Sequence, residues 1–142
     1  MIRRNNISPL TKAISISLLR RIAVVCFVLL MINGGKISAQ VISNNGAVIS
    51  VTSGTVLNGG SIENTSGTIA NEGTINLTGN WTNGGTYSST LGTVDYNGTG
   101  SQNVAGLSYH HLTLSTSGTK TLSTDASVSG ALTISGTANV AS

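Results

Sequence analysis

Residues 54–72 read GTVLNGGSIENTSGTIANE, and residues 73–91 read GTINLTGNWTNGGTYSSTL. These two 19-residue blocks align without a gap, and a third opens at Gly92 with GTVDYNGTG. Each full block carries three Gly-x-apolar units: GTV, GSI and GTI in the first, GTI, GNW and GTY in the second. A glycine every six or seven residues, followed two positions on by a β-branched or aromatic residue, is the spacing of a short strand and a turn. So short a unit cannot bury an apolar face alone, and its copies must stack. The blocks therefore predict an all-β chain folded as a single-stranded parallel β-helix, or β-solenoid. About three short strands and 19–20 residues make each coil, and the crossover rule makes it right-handed.

Superposing the blocks gives the expected core. Val56, Ile75 and Val94 form one column, and Asn58, Leu77 and Tyr96 the column two residues on, because i and i+2 share a strand face. Ile62 is expected over Trp81 and Ile69 over Tyr87, while Thr55, Thr68, Thr74 and Thr93 point outward. Gly54, Gly60, Gly67, Gly73, Gly79, Gly85 and Gly92 are the expected turn glycines. Asn58-Gly59-Gly60 and Asn83-Gly84-Gly85 would supply the positive φ that tight bends demand. The recurring Asn58, Asn64, Asn71 and Asn83 have two readings, a hydrogen-bonded ladder between coils or simple tolerance of turn geometry.

Outside the blocks the pattern drifts. Residues 40–53 hold two β-rich runs around Asn44-Asn45-Gly46 and suit an irregular first rung or cap. Residues 54–98 are the regular coils, and residues 99–142 read as coils with longer rungs. There Leu112-Thr113-Leu114 recurs as Leu132-Thr133-Ile134, with Leu122 and Val128 as further inward positions. The chain stops in mid-repeat at Val140-Ala141-Ser142. That predicts a fragment of a longer protein, or an end covered by further solenoid repeats or a capping partner.

The formal charge of +3 is unevenly placed. Arg3, Arg4, Lys12, Arg20, Arg21 and Lys36 all precede residue 40, which leaves Lys120 against Glu63, Glu72, Asp95 and Asp125. The folded part thus has no basic patch for nucleic acid. Arg20-Arg21 instead introduces the apolar run Ile22 to Ile32, and Ile37-Ser38-Ala39 follows. Residues 1–39 match a secretory signal peptide cut near Ala39/Gln40, and the run is about half of the ~20 residues a membrane span needs. Cys26 would leave with it, so the mature chain has no cysteine, no disulfide and no transmembrane span. The expected location is secreted, either extracellular or on the outer cell surface.

The run from Gly79 to Gly136 contains GNWTNGGT, then GTVDYNGTGSQNV, then YHHLTL and GALTI. It resembles repeats of large secreted bacterial surface proteins, the filamentous-haemagglutinin-like adhesins and cargo of type IX secretion. That resemblance implies a right-handed parallel β-helix with a passive surface or adhesive role. Its partners would be surface glycans or other cells, and it offers no catalytic residue to carry over.

The residues themselves offer little chemistry. His110 and His111 are adjacent in a strand-like run, where neighbours face opposite sides, and no third His or Cys supports a metal site. NGGSIEN and NGGTYSS lack the aspartate of calcium-binding nonapeptides. A pectate-lyase-like enzyme needs clustered acids and an accessible base, and four scattered acids with Lys120 argue against one. Trp81 and Tyr87 could stack on sugars, yet they fall in inward columns. The outward threonines suggest an ice- or crystal-binding array, diluted here by Ser, Asn and Lys. The expected function is a structural or adhesive segment of an exported surface protein, without cofactor, metal or catalysis. A carbohydrate- or ice-binding solenoid is the alternative, followed by a polysaccharide lyase.

Overall fold

The structure is a computed structural model that describes residues 40–122 and 124–142; the signal segment expected over residues 1–39 lies outside them. The first coils hold β1 (Ile42–Asn44), β2 (Val48–Val51), β3 (Val56–Gly59), β4 (Ile62–Asn64), β5 (Thr68–Asn71) and β6 (Thr74–Leu77). Next come β7 (Trp81–Asn83), β8 (Thr86–Ser88), β9 (Thr93–Tyr96), β10 (Gln102–Val104) and β11 (Ser108–Tyr109). The last are β12 (His111–Leu114), β13 (Thr119–Leu122), β14 (Ser127–Val128), β15 (Leu132–Ile134) and β16 (Asn139–Ala141). Every strand pair is parallel and joins strands three elements apart in chain order. The result is a parallel β-solenoid of about five coils.

The sheets are unequal in length. One runs the whole way, β3-β6-β9-β12-β15. The other faces break in the middle: β1-β4-β7 gives way to β10-β13-β16, and β2-β5-β8 to β11-β14. Corner length changes at the first of these breaks. Three residues (Thr78, Gly79, Asn80) separate β6 from β7, whereas five (97–101) separate β9 from β10. No ladder joins β10 to β7 across these unequal corners.

Core columns follow the strand registers. Leu57, Ile75, Val94, Leu112 and Leu132 stack along the long sheet, and so do Gly59, Leu77, Tyr96, Leu114 and Ile134. Ile62 pairs with Trp81, and Ile69 with Tyr87. Ile62, Ile69, Ile75, Leu77, Trp81, Val94, Tyr96, Leu112 and Leu114 are buried, while Tyr87, Leu122 and Val128 are half-buried against them. Leu132 and Ile134 keep their columns but lie on the last coil, exposed.

Val56 corrects the block alignment. It is 56% exposed, and Leu57 takes the inward place beneath Ile75. The cause is the preceding corner, where five residues lie between the inward Val51 and Leu57 but three lie between their partners Asn71 and Ile75. A β-turn takes up the surplus, with Thr55 N–H donating to Thr52 O at 3.0 Å and Gly54 at φ +80°. Gly54 and Gly73 are therefore not equivalent positions. Asn58, taken as an inward position, faces outward and accepts a hydrogen bond from Asn76 Nδ2 at 2.9 Å.

The other repeat glycines also serve a purpose different from the expected one. Among the repeat glycines only Gly54 has positive φ, so Gly59, Gly60, Gly84 and Gly85 are not used for left-handed bends. Gly84 and Gly85, like other repeat glycines, are needed because coils pass close together. A β-carbon on Gly73, for example, would come within 2.5 Å of the carbonyl oxygens of both Thr52 and Thr55.

Candidate functional site

The polar groups inside the solenoid account for most of its chemistry. At one corner Asn44 Nδ2 donates to Asn64 Oδ1 at 3.0 Å, and Asn64 Nδ2 donates to Asn83 Oδ1 at 2.7 Å. Asn83 Nδ2 ends the series on Gly85 O at 2.8 Å. The same amides hold their own turns, Asn44 Nδ2 on Ala47 O and Asn64 Nδ2 on Gly67 O. Of the two readings of the asparagines, the ladder is what forms, through Asn44, Asn64 and Asn83. Asn71 stands apart, buried, donating to Thr93 O at 3.1 Å.

Where the sheets break, tyrosines take over. Ala105 N–H donates to Tyr96 Oη at 3.1 Å, and Tyr109 Oη donates to Ala105 O at 2.7 Å. The two hydroxyls are 3.1 Å apart. Since Tyr109 spends its proton on Ala105 O, Tyr96 donates to Tyr109 and closes the ring. Backbone groups that a strand ladder would have paired are thus satisfied by phenols. Burial pushes Tyr96 up to about 12 and Tyr109 higher still, as desolvation disfavours phenolate. Tyr87 is raised for the same reason. Trp81 meets Tyr87 edge-on with ring centroids 5.1 Å apart. With Trp81 only 3% exposed, its face is closed to a sugar.

Lys120 is 0% exposed. Its Nζ donates to Gly98 O at 2.6 Å and to Gln102 Oε1. Gln102 also accepts from Gly98 N–H at 2.9 Å and donates to Leu77 O and Gly79 O, so every polar site of its amide is used. Desolvation pulls the lysine below its ordinary value, and the negative charge of Asp95 partly opposes this. Buried in this way, Lys120 is not presented to any substrate. Sequence alternation could have placed it, since Lys120 is two residues before Leu122 and Gln102 two before Val104. The same logic finds Tyr109, which pairs with Val128.

The remaining titratable groups do not converge. Glu72 caps the next coil by accepting from Thr90 N–H at 3.0 Å, Thr90 Oγ1 at 2.7 Å and Leu91 N–H at 3.0 Å, and these bonds hold its carboxyl below the usual range. Asp95 accepts from Ser115 Oγ at 2.7 Å, and Asp125 is exposed between β13 and β14. His110 and His111 do not face opposite sides, because His110 lies in the corner between β11 and β12. Their ring centroids are 4.2 Å apart. His111 Nδ1 accepts from Ala131 N–H at 2.9 Å, and His110 Nδ1 lies 3.1 Å from Ser129 Oγ. Among the described residues no three His, Cys, Asp or Glu side chains gather as metal ligands, and no helix is long and apolar enough to cross a membrane.

Among the open features of the described residues is a groove of about 300 Å³ at the break between β7 and β10. Asn80, Thr82, Asn83, Asn103 and Thr124 line it together with Trp81.

Comparison with protein-family models, with curated proteins and with solved structures found no match.

Proposed function

We propose that this chain is a structural or adhesive segment of an exported cell-surface protein, a rigid spacer rather than a catalyst. The carrying observation is where the chemistry-bearing side chains sit. Trp81, Tyr96, Tyr109 and Lys120 are buried and hydrogen-bonded or packed within the solenoid. The outside carries threonine, serine and asparagine with scattered acids and single apolar residues such as Val48, Val56 and Leu91. A parallel solenoid lengthens by adding coils at ~4.8 Å each, which suits a rod that holds two points apart. In this reading the rod is right-handed with three strands per coil. It follows a signal segment removed near Ala39/Gln40 and meets further repeats of the same protein at its exposed last coil. The bacterial-adhesin character rests on the GNWTNGGT-to-GALTI motif series alone.

The test is export and shape together. Expressed from Met1 in a Gram-negative host, the chain should appear outside the cytoplasm with Gln40 at its N-terminus, and small-angle scattering should give an elongated particle. A cytoplasmic product with an intact N-terminus would overturn the export reading. A compact scattering profile would overturn the rod.

A further inference from the structure

We propose that the groove between β7 and β10 is a binding site for a neutral sugar residue of a glycan chain. Three observations carry this. First, the groove is a built consequence of the fold. β7 ends its sheet, and among the described residues no strand pairs with its far edge. The seam is spanned instead by Asn103 N–H on Asn80 Oδ1 at 2.8 Å and by Gln102 Nε2 on Leu77 O and Gly79 O. Second, the lining is uncharged and mostly polar, with Ala105, Gly106 and Leu107 as its apolar part. Amides (Asn80, Asn83, Asn103) and hydroxyls (Thr82, Thr124) surround about 300 Å³, at the low end of small-molecule sites. Side chains that both donate and accept, without a formal charge, match vicinal hydroxyls and give no counter-charge to an acidic ligand. Third, Trp81 contributes to the wall, and its Nε1–H is buried without a partner among the described residues. The site differs from a stacking platform, since recognition runs through hydrogen bonds at a strand edge. An extended peptide is the other ligand an unpaired edge attracts, but a three-residue edge offers it few backbone bonds.

The proposal adds a ligand to the surface role and does not depend on it; a rod without a bound sugar remains a rod. Trp81 is the only tryptophan, so its emission reports this groove directly. The full chain is titrated with maltotriose, cellotriose and triacetylchitotriose, and with trigalacturonic acid as the charged counterpart. At least one neutral trisaccharide should give a saturable change in emission at or below about 10 mM. Asn103→Ala should weaken it about tenfold and Thr82→Tyr, which fills the groove, should abolish it. Thr113→Tyr on the long sheet should leave it unchanged. Circular dichroism verifies that each variant keeps the fold, and Asn103→Ala, at an exposed side chain, keeps the test decisive if Thr82→Tyr does not fold. The proposal is overturned if no neutral trisaccharide saturates, or if Asn103→Ala binds like the parent. It also fails if the acidic trisaccharide binds as well as the neutral ones, or if an extended threonine-rich peptide saturates the change and the sugars do not.

Discussion

The coils before the break and those after it face the same problem, a polar column inside a narrow core, and they solve it with different chemistry. Before the break, Asn44, Asn64 and Asn83 pass one hydrogen bond from coil to coil. After it, Gln102 sits beneath a buried Lys120. An amide both donates and accepts, so a series of amides can continue through any number of identical coils. An ammonium only donates, so Lys120 must be surrounded by acceptors and cannot extend the series. The contrast shows what regularity gives this fold: where a spacing of 19 or 20 residues holds, satisfaction is repetitive, and where it lapses, each group needs a dedicated partner.

The sharpest way to break the comparison is to attack the element both regions share, the long sheet. Ile75→Asp places a charge in a fully buried column and should abolish folding, while Thr74→Asp, one residue away on the outer face, should be nearly silent by circular dichroism and thermal melting. Equal effects would refute the in/out assignment. Next in size is Gln102→Leu, which strips an acceptor from Lys120 and should cost about 3 kcal/mol in urea unfolding. Lys120→Met removes the charge along with its need and should stay within about 1 kcal/mol of the parent. Asn64→Ala interrupts the neutral ladder in its middle and should cost about 2 kcal/mol by orphaning its buried neighbours.

A pH experiment separates the two regions without a large structural change. Tyr96 and Tyr109 have folded-state values raised above the ordinary phenol value of 10.0, so the folded form holds its protons longer. Their contribution is complete below pH 10.0 and is lost as pH rises toward about 12. Tyr96→Phe should flatten that alkaline loss in urea midpoints while lowering stability at pH 8 by about 1–2 kcal/mol. Lys120, shifted downward, has the opposite sign, and stability from it rises as pH climbs toward 10.5. The smallest effect expected is Val56→Asp, under about 0.5 kcal/mol, against a clear loss for Leu57→Asp. Reversal of that pair would restore the gap-free block alignment.

The solenoid was legible because its signal is repetitive. The spacing of Ile62 and Trp81, and of Leu112 and Leu132, equals the strand register, since the intervening corners keep their length. The reading slipped where a corner changed length. Gly54 and Gly73 look alike in the sequence and so put Val56 inward, yet one closes a β-turn and the other tucks beneath it. Aligning Asn58 with Asn76 would have given the true register. Lys120 escaped notice because lysine is so rarely buried that its alternation with Leu122 carried no weight. The groove had no motif at all. It lies where one corner gains two residues, and a sequence shows such an insertion without showing which neighbouring ladder is missing.

The asparagine ladder also has a direction. Asn44 and Asn64 both donate toward the later coil, so their amide dipoles line up head to tail along the solenoid axis, as peptide dipoles do along a helix. Each bond polarises the next, and the order is self-reinforcing. The column is therefore a vector: it distinguishes one end of the solenoid from the other by electrostatics alone. A coil added in the reverse sense would meet it donor to donor.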